Sequence, residues 1–237
     1  NNEHVFGSCY AEEISILKMI RKFGYTVTKT KNDNITADIN GEFRNYPIIG
    51  INKYSDRQRM SVIVKRSKHD SESVLLCKGT DLTIFNYIKK ENDNELKLIK
   101  EQIKKLTSIG YRYFVICKKE LSEDETINYI SRHRSAENYI LQRDVHFENL
   151  ANDYEYNMEL IGVLFFEEKI PSDLRYSINK LNESDINVWI VSGDRKENVL
   201  AVCDNLDMNK STSLNVEFKN VVLPDPVPPQ ITKDFWS

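Results

Sequence analysis

The chain is 237 residues long, 40% of them apolar and 29% charged, with a formal net charge of −3 at pH 7. This length is enough for one large domain, or for one domain and part of another, around a buried core. A weakly acidic chain lacks the basic field typical of nucleic-acid-binding proteins, so we expect no nucleic-acid partner. The longest apolar run, residues 160–166, is too short to cross a bilayer.

The first 157 residues predict helices packed on an antiparallel sheet. Apolar residues recur at helical spacing over 11–23, and Gly24 follows as a typical helix end. Asn40-Gly41, between two alternating segments, is the strongest short signal for a β-hairpin. Further strands and helical stretches then alternate, with strands predicted at 46–54, 59–66, 73–78 and 111–118 and helices over 80–109 and 121–157. We therefore predict an α+β layer for residues 1–157.

A different pattern begins at residue 158. Residues 159–166 and 186–191 are mostly apolar and predict strands, each followed by a helical segment, at 171–184 and 196–206. Strand–helix alternation with apolar strands is typical of a parallel sheet buried on both faces. We therefore predict a partial α/β segment over 158–208, followed by a Pro-containing tail or linker over 209–237.

Polar residues at the predicted strand ends are the candidates for binding. Lys78 ends an apolar strand and precedes Gly79, where a backbone or a ligand can approach closely; it is either a satisfied strand-end cation or an anion ligand. Arg57 and Arg59 would share a face if their strand extended back to Arg57, although strand edges also use such charges for protection. Arg112 begins a strand, where a stacked surface arginine is the alternative.

The segment 192–194 (SGD) follows a predicted parallel strand. Ligands bind at the carboxyl ends of such strands, and the amides at the next helix N-terminus favour phosphate. An ordinary capped turn is the alternative interpretation. The acids at Glu12 and Glu13 suit the first turn of a helix. Glu167 and Glu168, at a strand end, could meet magnesium or a basic group of a hinge, and a simple charged loop is the alternative. No Walker A loop, GxSxG or HExxH motif occurs, so we predict no complete catalytic centre and no metal site.

Taken in order, these segments resemble the nucleotide-binding domain of P-type ATPases, most closely the phospholipid-flippase class, over roughly residues 8–206. Residues 57–62 (RQRMSV) resemble the family's Arg-Lys-Arg-Met-Ser-Val strand, and residues 77–81 (CKGTD) resemble its Cys-Lys-Gly-Ala-Asp turn. Weaker similarities to the family's motifs lie at 11–14 (AEEI), 110–112 (GYR), 168–169 (EK) and 192–195 (SGDR).

The resemblance implies an ATP site. Glu13 would lie near adenine, Lys78 would line the pocket, and Arg112 would be on the phosphate side. The nucleotide-binding set that it implies is Glu13, Lys53, Tyr54, Arg59, Lys78, Gly79, Arg112, Ser192, Gly193 and Asp194, with Glu168 and Lys169 as a hinge.

The sequence departs from the family at the adenine position. Flippases place a phenylalanine ahead of the basic cluster, where this chain has Lys53. Tyr54 would replace that ring only if the strand slipped by one residue, which also changes the face it occupies. A stacked base is worth about 1–3 kcal/mol in nucleic-acid systems, so losing the ring would weaken binding about tenfold or more. This departure and the changes at 168, 192 and 195 predict a weak or inactive pump module.

The resemblance also implies the surroundings of the domain. Residues 158–208 would be part of a haloacid dehalogenase-like phosphorylation domain, in the cytoplasmic region of an integral membrane protein that uses ATP and Mg²⁺. Its partners would be the parent's phosphorylation, actuator and transmembrane domains, and an accessory membrane subunit. The family's phosphorylated Asp-Lys-Thr-Gly segment is absent from the chain, so we expect no activity from it alone.

Two other functions stay open. One is a degenerate, non-catalytic regulatory module of a membrane guanylate cyclase of the protozoan bifunctional type. The other is an unrelated α+β binding protein, which would be favoured if Lys53, Lys78 and Arg112 did not surround one groove of an antiparallel sheet.

Overall fold

The computed structural model describes residues 11–31, 33–66, 71–89, 93–167, 169–192, 196–206 and 208. Their central element is a sheet of seven strands in which every neighbouring pair is antiparallel and the spatial order equals the chain order. The strands are β1 (Tyr25–Lys31), β2 (Asn34–Ile39), β3 (Glu42–Asn52), β4 (Arg59–Val64), β5 (Ser73–Gly79), β6 (Arg112–Leu121) and β7 (Glu159–Phe166).

The helices of the described residues precede the sheet, connect its strands and follow it. They are α1 (Ala11–Lys22), α2 (Asp81–Ile84), α3 (Asp93–Thr107), α4 (Glu123–Glu137), α5 (Arg143–Tyr154), α6 (Leu174–Glu183) and α7 (Lys196–Asn205). The predicted α+β layer of an antiparallel sheet with helices is thereby confirmed.

The predicted hairpin forms at Asn40-Gly41. Ile39 pairs with Glu42 across a two-residue turn, and both turn residues have positive φ, 53° and 94°. Two positive φ angles are what a type I′ turn requires, and its twist matches that of the flanking strands. The second strand of the hairpin continues to Asn52 as one element, so the separate strand predicted at 46–54 is its second half and ends two residues early.

The core lies between one face of the sheet and helices α3, α4 and α5. In β4, the residues Arg59, Ser61 and Ile63 are buried and alternate with half-buried neighbours, as the period of two requires. Tyr129 of α4 packs so closely on β3 that a Cβ at Gly50 would lie 2.6 Å from its hydroxyl. The core cluster comprises Ile63, Leu75, Cys77, Ile84, Ile88, Ile103, Val115, Cys117, Leu121, Tyr129, Leu150, Tyr154 and Met158.

The prediction of a parallel sheet after residue 158 was wrong for its first strand. β7 pairs antiparallel with β6, from Arg112 opposite Phe166 to Lys118 opposite Glu159. The predicted strand at 186–191 has no strand pairing, and Trp189 and Val191 are 85% and 95% exposed. An apolar run signals burial on both faces but not the direction of the neighbouring strand, which explains the error.

The chain divides into two compact units. The first contains residues up to Ile170 together with Ser192–Ala201, and holds the whole sheet. The second contains Pro171–Val191 and the segment from Val202 onward, in which Arg175 donates a hydrogen bond to the carbonyl of Asn205. The assignment of 158–208 to a phosphorylation domain stays a prediction, and the predicted tail at 209–237 lies outside the described residues. None of the described helices combines the length and the apolar character needed to cross a membrane.

Candidate functional site

A pocket of about 480 Å³ opens where α1 lies beside the ends of β4, β5 and β6. We refer to it as the α1 pocket. Its lining brings together six of the residues predicted to bind nucleotide, although they come from four separate segments of the chain. The lining residues are Glu12, Glu13, Lys53, Tyr54, Met60, Lys78, Gly79, Arg112 and Phe114.

Strand register explains why these side chains meet. Lys78 on β5 is paired directly with Met60 on β4, so both side chains leave the sheet on the same face. Arg112 and Phe114 are two residues apart on β6 and also share a face. The same alternation places the side chains of Arg59, Ser61 and Ile63 in β4 on the opposite, core-facing side.

The pocket's cations are held by the first turn of α1. The Lys78 Nζ lies 3.0 Å from the Glu13 Oε1, and the Arg112 Nη1 lies 3.1 Å from the Glu12 Oε1. These side chains are between 23% and 39% exposed, so the ion pairs are shielded but remain accessible to solvent. With Lys53, three cations face two carboxylates, and the lining has a net positive formal charge. Such a lining favours an anionic ligand.

Two aromatic rings contribute to the same lining. The Tyr54 side chain is 53% exposed, and the Lys78 Nζ lies 5.4 Å from the centroid of the Phe114 ring. Partial burial raises the pKa of Tyr54, so its phenol stays neutral at physiological pH. The pocket therefore combines flat apolar surfaces with positive charge, the combination that a purine nucleotide requires.

The expected conflict between Lys53 and Tyr54 does not arise. Strand β3 ends at Asn52, so both residues belong to the connection between β3 and β4 and both line the pocket. The argument that Tyr54 needs a slipped strand was wrong, because the alternation of faces applies only within a strand.

The structure corrects the prediction that Arg59 contacts the nucleotide. Its side chain is 3% exposed, and its Nε lies 2.6 Å from the Glu155 Oε2. Its Nη2 donates to the Asn152 Oδ1 at 2.7 Å, and its guanidinium carbon lies 4.2 Å from the centre of the Tyr87 ring. The physical reason is register: Arg59 pairs with Gly79, so it occupies the face opposite to that of Lys78.

Gly79 lines the pocket, but the reason for its lack of a side chain is the close packing of the sheet. A Cβ at this position would lie 2.7 Å from the Arg59 Cβ and 2.8 Å from the Gln58 carbonyl oxygen. Both distances are below those of real contacts, so the glycine lets β4 and β5 approach closely around the buried arginine.

The remaining predicted site residues do not line the α1 pocket in the part of the chain that the structure describes. Ser192 and Lys169 are exposed and lie outside its lining. Glu168, Gly193 and Asp194 lie outside the described residues. Their roles stay predictions.

Sequence reasoning missed three lining residues, Glu12, Met60 and Phe114. Met60 and Phe114 are apolar and were counted as strand residues, while Glu12 was interpreted as a helix-dipole partner. A signal existed for Phe114, since it lies two residues after Arg112 in an alternating strand. Met60 needed the register of β4 against β5, which the sequence does not contain.

The pocket's acids are engaged with basic groups. Among the described residues, no group of three or more His, Cys, Asp or Glu side chains is arranged to hold a metal ion. Glu12 and Glu13 instead pair with Arg112 and Lys78. The chemistry of this lining is that of anion and ring binding.

Comparison with known proteins identifies similar chains. The sequence model of a family described as "P-type ATPase, cytoplasmic domain N" matches residues 3–170. Phospholipid-transporting ATPase 11C of Mus musculus is 28% identical over 194 residues, 81% of this chain and 17% of its own length. Phospholipid-transporting ATPase IG of Homo sapiens is 27% identical over 203 residues, 85% of this chain and 18% of its own. Phospholipid-transporting ATPase IC of Xenopus tropicalis is 26% identical over 215 residues, 87% of this chain and 17% of its own. The chain thus spans less than a fifth of the length of these relatives.

Proposed function

The chain belongs to the P-type ATPases by the cytoplasmic domain N of that family, and from this premise we propose that its α1 pocket binds ATP for a phospholipid-transporting pump. The observation that supports the proposal most is the convergence of Glu13, Lys53, Tyr54, Lys78, Gly79 and Arg112 on one pocket. The names of the similar proteins support phospholipids as the transported class.

The lining fits a nucleotide in size and chemistry. Its volume of about 480 Å³ lies within the range of small-molecule and cofactor sites. In the proposed complex the rings of Tyr54 and Phe114 provide surfaces for adenine, with Glu13 nearby. Lys78 and Arg112 then exchange part of their ion pairing with α1 for the nucleotide's phosphates. ATP supplies the phosphoryl group, and the pocket's contribution is binding and orientation.

The wider context is proposed for the parent protein. Ser192, Gly193 and Asp194 would face the phosphates in a phosphorylation domain, with Glu168 and Lys169 as the hinge that precedes it. Mg²⁺ would accompany ATP, and the domain would lie on the cytoplasmic side of the membrane beside actuator and transmembrane domains. An accessory membrane subunit is a further proposed partner.

The other two functions are less well supported. The relatives described above are named as phospholipid-transporting ATPases, which favours a pump over a guanylate cyclase parent. A binding protein unrelated to the P-type ATPases is excluded by the family match over residues 3–170, and Lys53, Lys78 and Arg112 all line the α1 pocket.

Calorimetric titration of the purified chain with ATP tests the proposal. We expect saturable binding in the millimolar range or tighter, weakened about tenfold in Lys78→Ala, since one lost charge–phosphate contact is worth roughly 1.4 kcal/mol. Lys118→Ala is the matched control. Lys118 also pairs with a glutamate, Glu159 at 3.5 Å, and its side chain has similar exposure, but it lies outside the pocket.

A second titration with adenosine separates the two ends of the ligand. Arg112→Ala is expected to weaken ATP binding and leave adenosine binding unchanged. No saturable binding of ATP at roughly 10 mM by a folded chain would reject the proposal. Equal effects of Lys78→Ala and Lys118→Ala would also reject it.

A further inference from the structure

A buried carboxylate lies behind the α1 pocket, on the other face of the sheet. Glu155 follows the last residue of α5, and its side chain is fully buried. Its Oε2 accepts hydrogen bonds from the Arg57 Nη1 at 2.5 Å and the Arg59 Nε at 2.6 Å, and its Oε1 accepts one from the Ser61 Oγ at 2.7 Å. A buried carboxylate is tolerated when both oxygens are satisfied in this way.

The two arginines connect Glu155 to different parts of the chain. Arg59 lies within β4 and bonds to Asn152 of α5, so it joins Glu155 to the sheet. Arg57 lies outside the strand, in the connection 53–58 between β3 and β4. Its Nη2 donates to the Lys53 carbonyl at 3.0 Å, and its Nε donates to the Ser55 Oγ at 3.2 Å. Arg57 therefore ties that connection to Glu155.

The same network holds the start of the connection. The Asn52 Nδ2 donates to the Ser61 Oγ at 2.8 Å, and the Tyr129 hydroxyl donates to the Asn52 Oδ1 at 3.0 Å. Asn52 is buried and is the last residue of β3, immediately before Lys53. The backbone at 52 and 53 is thus held by side chains from β4 and α4 and, through Arg57, by Glu155.

Lys53 and Tyr54, whose backbone is held in this way, line the α1 pocket. Both side chains are exposed, so their position depends on the backbone beneath. We propose that Glu155 and Arg57 are positioning residues for the nucleotide site: Glu155 orients Arg57, and Arg57 holds the 53–58 connection so that Lys53 and Tyr54 face the ligand. The inference rests on the proposed ATP binding.

The main test replaces Arg57 by lysine. Arg57→Lys retains a positive charge beside Glu155 but lacks the guanidinium fork that also reaches Lys53 and Ser55. We expect ATP binding to weaken on the order of three- to tenfold. Arg66→Lys is the matched control, because Arg66 forms a similarly short ion pair with Glu120, at 2.6 Å, in which both side chains are exposed. Its ATP affinity should equal that of the unchanged chain.

Two readouts distinguish positioning from a general loss of stability. The first is a double-mutant cycle: Arg57→Lys should have little further effect on ATP affinity in a Lys53→Ala/Tyr54→Ala background, since the change at Arg57 acts through the same two contacts. The second is hydrogen–deuterium exchange without ligand: in Arg57→Lys it should rise at 53–58 and stay unchanged in β5, and in Glu155→Gln it should rise more at 53–58 than in β5. Should Glu155→Gln fail to fold, Arg57→Lys and Arg57→Ala supply both readouts.

The outcomes separate this inference from the proposed function. If ATP binds and Lys78→Ala weakens it, but Arg57→Lys binds as tightly as the unchanged chain, the positioning role is overturned and ATP binding stands. Additive effects of Arg57→Lys and the pair Lys53→Ala/Tyr54→Ala, or unchanged exchange at 53–58, also overturn it. If the unchanged chain does not bind ATP, both proposals fail.

Discussion

Replacing Glu155 by glutamine is expected to cost much of the domain's stability. Its carboxylate is fully buried, and the partner side chains of Arg57 and Arg59 are 9% and 3% exposed. Glutamine retains the size of the side chain but removes the negative charge, which leaves two guanidinium groups in the interior without a counter-ion. Breaking a buried ion pair at one partner costs about 3–5 kcal/mol. Because the glutamine carbonyl still accepts one hydrogen bond, we expect a loss near the lower end, about 3 kcal/mol.

The matched comparison is Glu120→Gln. Glu120 pairs with Arg66 at 2.6 Å, but the two side chains are 47% and 67% exposed, so the expected loss is about 0–1 kcal/mol. The two variants make the same chemical change at ion pairs of similar length, and they differ in burial and in the second guanidinium and the hydroxyl that also contact Glu155.

Urea unfolding followed by circular dichroism measures the difference. With a slope of about 2 kcal/mol per molar urea, the midpoint should fall by about 1.5 M in Glu155→Gln and by less than about 0.5 M in Glu120→Gln. Equal shifts in the two variants would refute the reasoning that burial decides the contribution of this ion pair.

Three further predictions concern separate features of the domain. Gly79→Ala should lower stability by about 1–3 kcal/mol because its Cβ would clash with β4, whereas Gly162→Ala in β7 meets no atom within 4 Å and should change stability by less; equal losses in urea unfolding would contradict this. The hydrogen bond from the Ser122 backbone amide lowers the pKa of Glu125. The contribution of the Glu125 carboxylate to folding stability is therefore complete above its ordinary pKa of about 4.5 and is lost as the pH falls through the lowered value. The stability difference between the unchanged chain and Glu125→Gln should therefore shrink between pH 7 and pH 3, and a constant difference would argue against the pairing. The hydrogen bond with the thiol of Cys117, together with burial, raises the pKa of Cys77. Peptide mapping should therefore find that iodoacetamide alkylates Cys77 at pH 8 much more slowly in the folded chain than in urea. Equal rates would show that the core around Cys77 opens in the folded chain.

The sequence predicts those parts of the fold that depend on neighbouring residues. The Asn40-Gly41 turn follows from the preference of these residues for positive φ, and the structure confirms it. The alternation in β4 predicts a strand with one buried face, which is also observed. The direction of the partner of β7 does not follow from its composition, because an apolar strand suits a parallel or an antiparallel neighbour equally well.

The candidate site could likewise be predicted only in part from the sequence. The resemblance of the RQRMSV and CKGTD segments to one family, together with its weaker motifs, predicted six of the nine lining residues. It did not predict that Arg59 lies on the opposite face from Lys78, since that depends on which residues of β4 and β5 are paired. It also did not predict Glu155, which is 96 residues from Arg59 and has no motif of its own.

Backbone preferences and side-chain alternation act over a few residues, so most of the strands, the hairpin turn and six of the residues that line the α1 pocket follow from the sequence alone. Which side chains share a face and which are buried became clear from the three-dimensional structure alone. Strand register and helix docking are set by contacts between segments that are far apart in the chain. The free energy of these contacts cannot be assigned to any one segment. The pairing of β4 with β5 places Lys78 in the α1 pocket and Arg59 in the core.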